Sequence, residues 1–264
     1  MILSTVKILH KIAYQLTLTP LFVALLLSAF FLPTMTLSIA AVEIPCPDGS
    51  SFEIPAYDVT YDLSRKGKKV GSAHRTLKPI EDNRWQLSMN SKASVLVISF
   101  EYKQKSIFTW VDNSPRPDSY IQRDRNSFKS AKAHKQNFDW HQMQENGSYK
   151  KKKWQLQLKD GIQDRQTSIL NLRRDLLQQE IQETYRYPVS YKGKINDDVY
   201  VLVGEESLQT SAGTFETLKF EKTHKNRNRI SYFWLAKELD YLPVRIQQIK
   251  EDEEQADMLL SSIN

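Results

Sequence analysis

The chain has 264 residues, 26% charged and 11% aromatic, with 37 Lys and Arg against 31 Asp and Glu, a formal charge of +6. That charge is interspersed rather than blocked, which argues against a nucleic-acid partner. The single cysteine excludes an intrachain disulfide, so the core must carry the stability of a chain long enough for one ordinary domain or one large β-sandwich or barrel.

Lys7, His10 and Lys11 precede an apolar stretch from Leu18 to Leu32 that Pro33 interrupts, and no acidic residue occurs before Glu43. Basic then apolar is the order of a secretory signal, and Ser38 and Ala40 supply the small residues required for a cut before Ala41. The expectation is a signal peptide over 1–40 and a periplasmic protein. The competing expectation is an uncleaved anchor, since apolar character continues with breaks from Leu16 to Val42. Removal of 1–40 leaves 35 Lys and Arg against 31 Asp and Glu, a formal +4. Cys46 follows Glu43, Ile44 and Pro45, which is not the apolar-then-small pattern of a lipid attachment site. Prolines and Gly49 mark 41–56 as a leader arm, and 57–264 reads as a single β-rich domain.

From Tyr57 the pattern has period two. Tyr57, Val59, Tyr61 and Leu63 alternate with polar residues, as in a strand with one buried face. Lys66-Gly67-Lys68-Lys69 turns the chain into a second strand over Val70–Leu77. Further strands are expected at Trp85–Met89, Phe108–Trp110, Tyr120–Gln122, Phe138–Trp140 and Trp154–Leu158. Turns are expected at Asn113–Asp118, Glu145–Ser148 and Asp160-Gly161. The apolar run Val95–Ile98 is too short to declare a period.

Asp164 starts a different rhythm. Ile169, Leu170, Leu172, Leu176, Leu177 and Ile181 recur at three- and four-residue steps, predicting an amphipathic helix with Asp164 as its N-cap. Strands then resume at Val199–Val203, Phe215–Phe220, Ile230–Leu235, Leu242–Ile246 and Met258–Leu260, with a hairpin at Ser211-Ala212-Gly213. A long meander broken by one amphipathic helix can bury that helix in one obvious way. The predicted fold is therefore mainly β, a strongly curved antiparallel sheet or open barrel wrapped around the helix.

Three blocks add a resemblance. Gly161-Ile162-Gln163-Asp164 with Ser168 and Leu172-Arg173, then Gly204 to Thr217, then Trp234 to Ile246 (with Tyr241, Pro243 and Arg245) occur in order. Together they resemble the bacterial family designated domain of unknown function 3108. The resemblance spans about Tyr57 to Gln248 and implies a periplasmic, largely antiparallel β protein, with no established reaction and no catalytic residues to carry over.

No catalytic, cofactor or metal site is expected. His74, His134, His141 and His224 include no pair at a tight chelating spacing. Gly-x-Ser-x-Gly, phosphate-loop and His-Glu-x-x-His signatures are absent. Glu205 and Glu206 would point to opposite faces of a regular strand. The candidate positions are those the resemblance marks: Gln163, Asp164, Ser168, Arg173, Trp234, Tyr241, Pro243 and Arg245. Gln163-Asp164 reads either as a ligand rim or general base, or as an N-cap with a glutamine tying the helix to a strand edge. Pro243 reads as a mark of an edge strand or of strand entry. Lys150 to Lys153 read either as a site for phosphates or anionic headgroups, or as a solvated hairpin edge. The functional expectation is a binding module for a lipid or other amphiphile of the envelope, with Trp85, Trp110, Trp154 and Trp234 lining its groove. The alternatives are an interaction protein with an envelope protein partner, and a hydrolase using Asp164.

Overall fold

The computed structural model describes residues 54–224 and 228–264. The expected signal peptide, its expected cleavage site and most of the expected leader arm lie outside the described residues. Fourteen strands form one antiparallel sheet in the order β8-β7-β6-β5-β4-β3-β2-β1-β14-β13-β12-β11-β10-β9. Eight of them precede the helix: β1 Tyr57–Arg65, β2 Lys68–Pro79, β3 Arg84–Val95, β4 Ile98–Val111, β5 Ser114–Asn126, β6 Lys129–Asp139, β7 Gln144–Tyr149 and β8 Lys152–Gln157. Helix α1 follows over Thr167–Gln178, then β9 Thr184–Tyr191, β10 Lys194–Thr210, β11 Gly213–His224, β12 Arg229–Ala236, β13 Leu242–Lys250 and β14 Glu253–Ile263.

Each half is a meander, and β1 pairs with β14 to join the halves (Leu63 opposite Met258). The edges β8 and β9 are not laddered together. The segment before α1 covers β9 instead, where Gln163 N–H donates to the Pro188 carbonyl at 2.8 Å and its own carbonyl accepts from Ser190 N–H at 2.9 Å. The amide of Gln136 on β6 also reaches the Ser190 carbonyl, at 3.2 Å.

The helix fills the lower interior. Leu170 packs with Ile54, Leu77, Trp85, Leu87, Phe108 and Trp110 from one half of the sheet. Ile169, Leu172 and Leu176 pack with Tyr185, Tyr187, Tyr200, Leu218, Phe220 and Leu235 from the other. A flat sheet cannot touch opposite sides of one helix, so the expected wrapping is what these contacts require. Ile54, assigned to the leader arm, is part of this core. Ile181, assigned to the helix, is exposed and lies beyond it, since α1 ends at Gln178.

Two expected turns are strands. Ser114 to Asn126 is continuous β5, with Pro115 opposite Trp110 and Pro117 opposite Phe108, next to a bulge at Ile107/Phe108 that absorbs the irregular pairing. Gly147 is inside β7 because the Trp154 ring occupies its side-chain space: a Cβ there would sit 2.2 Å from the indole. Val201 and Val203 on β10 face outward and are exposed, while Tyr200 and Leu202 turn inward. Pro243 is not on an edge strand. It is the second residue of β13, between β12 and β14, which agrees with strand entry.

Candidate functional site

The inward face of β3 shows where the packed core stops. Trp85 and Leu87 are buried, but Met89, Ser91, Ala93 and Val95, alternating on the same face, are each half-buried. The same change occurs from Gln104 to Tyr102 on β4, Tyr200 to Asp198 on β10 and Met258 to Ala256 on β14. Above the helix the interior therefore opens toward the end carrying the β1–β2, β3–β4, β5–β6 and β7–β8 turns. The floor of that opening is polar.

Three cations form the floor: Arg75 on β2, Arg165 in the segment before α1 and Lys222 on β11. Lys222 ion-pairs with Asp198, and its Nζ lies 3.5 Å from the Tyr200 hydroxyl. Ser168, in the first turn of α1, donates to Asp198 at 3.0 Å and lies 3.1 Å from the same hydroxyl. Arg165 stacks over the Tyr191 ring at 4.6 Å. Arg75 donates from Nε to the Tyr57 hydroxyl at 3.0 Å, and its buried Nη2 has no hydrogen-bond partner. The charges of Asp198, Arg165 and Arg75 all reach the Tyr200 hydroxyl, whose ionisation is pushed up chiefly by burial and next by Asp198. Burial lowers the Lys222 pKa, against the pull of Asp198. Removing cations from water is costly unless anions accompany them, and here Asp198 is the carboxylate bonded to Lys222 and facing Arg165.

Beside the floor, Asp164 works on the helix. Its Oδ1 accepts the backbone N–H groups of Gln166 at 2.6 Å and Thr167 at 3.0 Å, and its Oδ2 accepts the Ser106 hydroxyl. The carboxyl is fully buried, and burial raises its pKa to about 6 against those donors. Both oxygens being engaged without solvent access, this geometry gives Asp164 a capping role and not that of a base for an outside substrate. The residue adjoining the helix is Gln166, so the cap acts from two positions further out than a simple N-cap. Gln163 ties the helix to the β9 edge, as one reading held, but through its backbone; its side-chain amide turns back to the Gly161 carbonyl at 3.2 Å.

The remaining marked residues are scattered. Arg173 is buried, bonds the Asp240 carbonyl at 2.9 Å and lies 5.2 Å from the centre of the Tyr57 ring, anchoring α1 to the β12–β13 connection. Tyr241 lies in that connection with φ 56, its N–H bonded to the Ala236 carbonyl at 2.9 Å. The Pro243 carbonyl accepts the Tyr61 hydroxyl at 2.7 Å. Lys219 and Arg245 lie 4.7 and 4.6 Å from the centre of the Trp234 ring, and Arg245 forks onto Asp257. The four tryptophans do not line one groove. Trp85 and Trp110 pack on the helix, Trp154 packs on Gly147, and Trp234 lies under its two cations.

Sequence reasoning passed over Arg75 and Lys222, whose inward orientation follows only from strand register. Of the histidines, His74 pairs with Asp58 beside an outer-face groove of about 570 Å³, and His141 is exposed. His134 is buried among Tyr120, Tyr149, Trp154 and Tyr191, where burial holds it down at about 4 and therefore neutral. No helix among the described residues is long and apolar enough to cross a membrane.

The architecture defines a class, the β-barrel-like proteins in which one curved antiparallel sheet encloses a helix. Within that class the chain belongs to the family described as protein of unknown function DUF3108, whose profile matches residues 56–258. A solved β-barrel-like protein of domain of unknown function DUF1849 from Brucella abortus shares the fold at TM-score 0.56 and 7% identity, over 81% of this chain and 98% of that one. A chain from Parabacteroides distasonis, described as a "putative lipoprotein", superposes at TM-score 0.31 with 10% identity, covering 81% of this chain and 97% of that one. No curated protein matches the sequence.

Proposed function

We propose that the protein is an exported binding module that takes the anionic group of an amphiphilic molecule into the open end of its barrel. The observation that carries this reading is the floor, where Arg75, Arg165 and Lys222 gather around Tyr200 with one bonded carboxylate, Asp198, and with an unused donor on Arg75. An anion seated there gains charge-assisted hydrogen bonds from groups already desolvated and already fixed. The half-buried Met89 and Ala93 on the wall above offer contact to an apolar tail. Export is supported by the basic and apolar amino-terminal sequence.

Native mass spectrometry of protein isolated from its own envelope tests the reading. The expected result is an adduct of an anionic amphiphile that Arg75→Gln loses and Arg75→Lys retains, each variant keeping wild-type circular dichroism. A clean unliganded mass under gentle conditions contradicts it.

A further inference from the structure

In an antiparallel meander the turns alternate between two ends, so β1–β2, β3–β4, β5–β6, β7–β8 and β13–β14 turn at the same rim, the open one; a Lys66–Glu253 ion pair joins the first and last of these turns. Two hairpin tips there are apolar. Leu96 and Val97 form the two-residue β3–β4 turn and are 97% and 82% exposed, and Phe128 in the β5–β6 turn is 71% exposed. The tips are neighbours: Ser127 N–H donates to the Ser99 carbonyl at 3.0 Å, and Ser99 N–H to the Ser127 hydroxyl at 2.9 Å.

These residues have no packing role, and Leu96 even takes a left-handed conformation at φ 55, where a turn ordinarily places Gly, Asn or Asp. Exposed Lys129 and Lys132 follow Phe128, exposed Lys150 and Lys151 form the adjoining β7–β8 turn, and exposed Lys152 opens β8. Of the acidic residues near the rim, Glu251, Asp252 and Glu253 sit in another sector, while Glu101, ion-paired with Lys103, and Asp124, opposite Lys132, lie in this one. Separate apolar tips flanked by lysines suit a deformable, negatively charged apolar interface.

We propose that this sector of the rim docks onto an anionic lipid bilayer, with Leu96, Val97 and Phe128 entering the headgroup–acyl boundary and the lysines lying on the headgroups. Docking goes beyond the binding of an anion on the floor and does not require it, although it would set the mouth of the barrel against the surface.

The test reads the tip itself, so the apolar amino-terminal stretch does not enter the signal. A nitrobenzoxadiazole label is placed at Val97→Cys in a Cys46→Ser chain, with Glu251→Cys as the control position. Vesicles are phosphatidylcholine alone or with 30% phosphatidylglycerol. The expected result is a blue shift at position 97 and none at 251, on the anionic vesicles only. The half-saturating lipid concentration should rise about tenfold or more when Lys150, Lys151 and Lys152 are changed to Gln. No shift at 97, an equal shift at 251, or equal shifts on neutral vesicles overturns docking. A shift that grows with protein concentration without vesicles also overturns it, assigning the tips to a second copy of the chain. Arg75→Gln should leave the vesicle signal unchanged, which separates failure of docking from failure of the floor.

Discussion

Asp164→Asn isolates a buried carboxyl at the helix start. Asp164 has its pKa raised from 3.8 to about 6 because burial penalises the charged form more than its three donors favour it. Between these values the native state binds more protons than the unfolded state, so stability falls as pH rises through the window and levels off above about 6. The whole shift corresponds to roughly 3 kcal/mol at ~1.4 kcal/mol per unit, of which about 2 is spent between pH 4.5 and 7.5. Asparagine keeps an oxygen for the Gln166 and Thr167 N–H groups but cannot ionise. It should cost about 1 kcal/mol as a weaker cap at pH 4.5 and close that gap, or become the more stable form, by pH 7.5. Urea unfolding of both proteins across this range measures the difference directly. A gap independent of pH, or one widening as pH rises, would refute the reasoning, because it would mean that the donors outweigh burial and hold the carboxyl low.

Two further outcomes test the filled lower interior and the strand assignment of Gly147. Leu170→Ala should lose about 3 kcal/mol in urea unfolding, since the surrounding Trp85, Phe108 and Trp110 cannot all close on the space, while exposed Ile181→Ala should change stability by less than about 0.5 kcal/mol; equal effects would mean that the helix does not fill the sheet. Gly147→Ala drives a methyl into the Trp154 indole and should cost about 1–3 kcal/mol with a shift in tryptophan emission, whereas Gly161→Ala, with φ +79 and open space around it, should cost only about 1 kcal/mol and leave emission unchanged. Identical emission from both variants would contradict the Gly147–Trp154 contact.

The architecture was legible because its two periods are cleanly separated: alternation along Tyr57–Leu63 and its successors, and three- and four-residue steps from Ile169 to Leu176. The misreadings share one cause. Pro115, Pro117 and Gly147 are turn formers by local preference, but a bulge accommodates the prolines and a neighbouring indole requires the glycine, and neither partner is local in sequence. The strand expected at Val199–Val203 is present in β10, where the longer aromatic Tyr200 takes the inward face against Phe233 and Val201 and Val203 are exposed. Of the site, Asp164 and Ser168 were visible as the polar start of the helix. Arg75 and Lys222 were not, because a charged residue on an alternating strand ordinarily faces water, and these turn inward only because the sheet curves around a helix too short to fill it.

The central claim is that the floor holds an anion, and calorimetric titration tests it most directly. Decyl phosphate and decyl maltoside, both kept below their micelle concentrations, would be titrated into the wild-type protein and into Arg75→Gln and Lys222→Gln variants that retain near-ultraviolet circular dichroism. The account predicts saturable one-to-one binding of decyl phosphate, weakened about tenfold or more by either substitution, and no comparable binding of the neutral-headed maltoside. Equal binding of both amphiphiles, or decyl phosphate binding indifferent to Arg75 and Lys222, would contradict it.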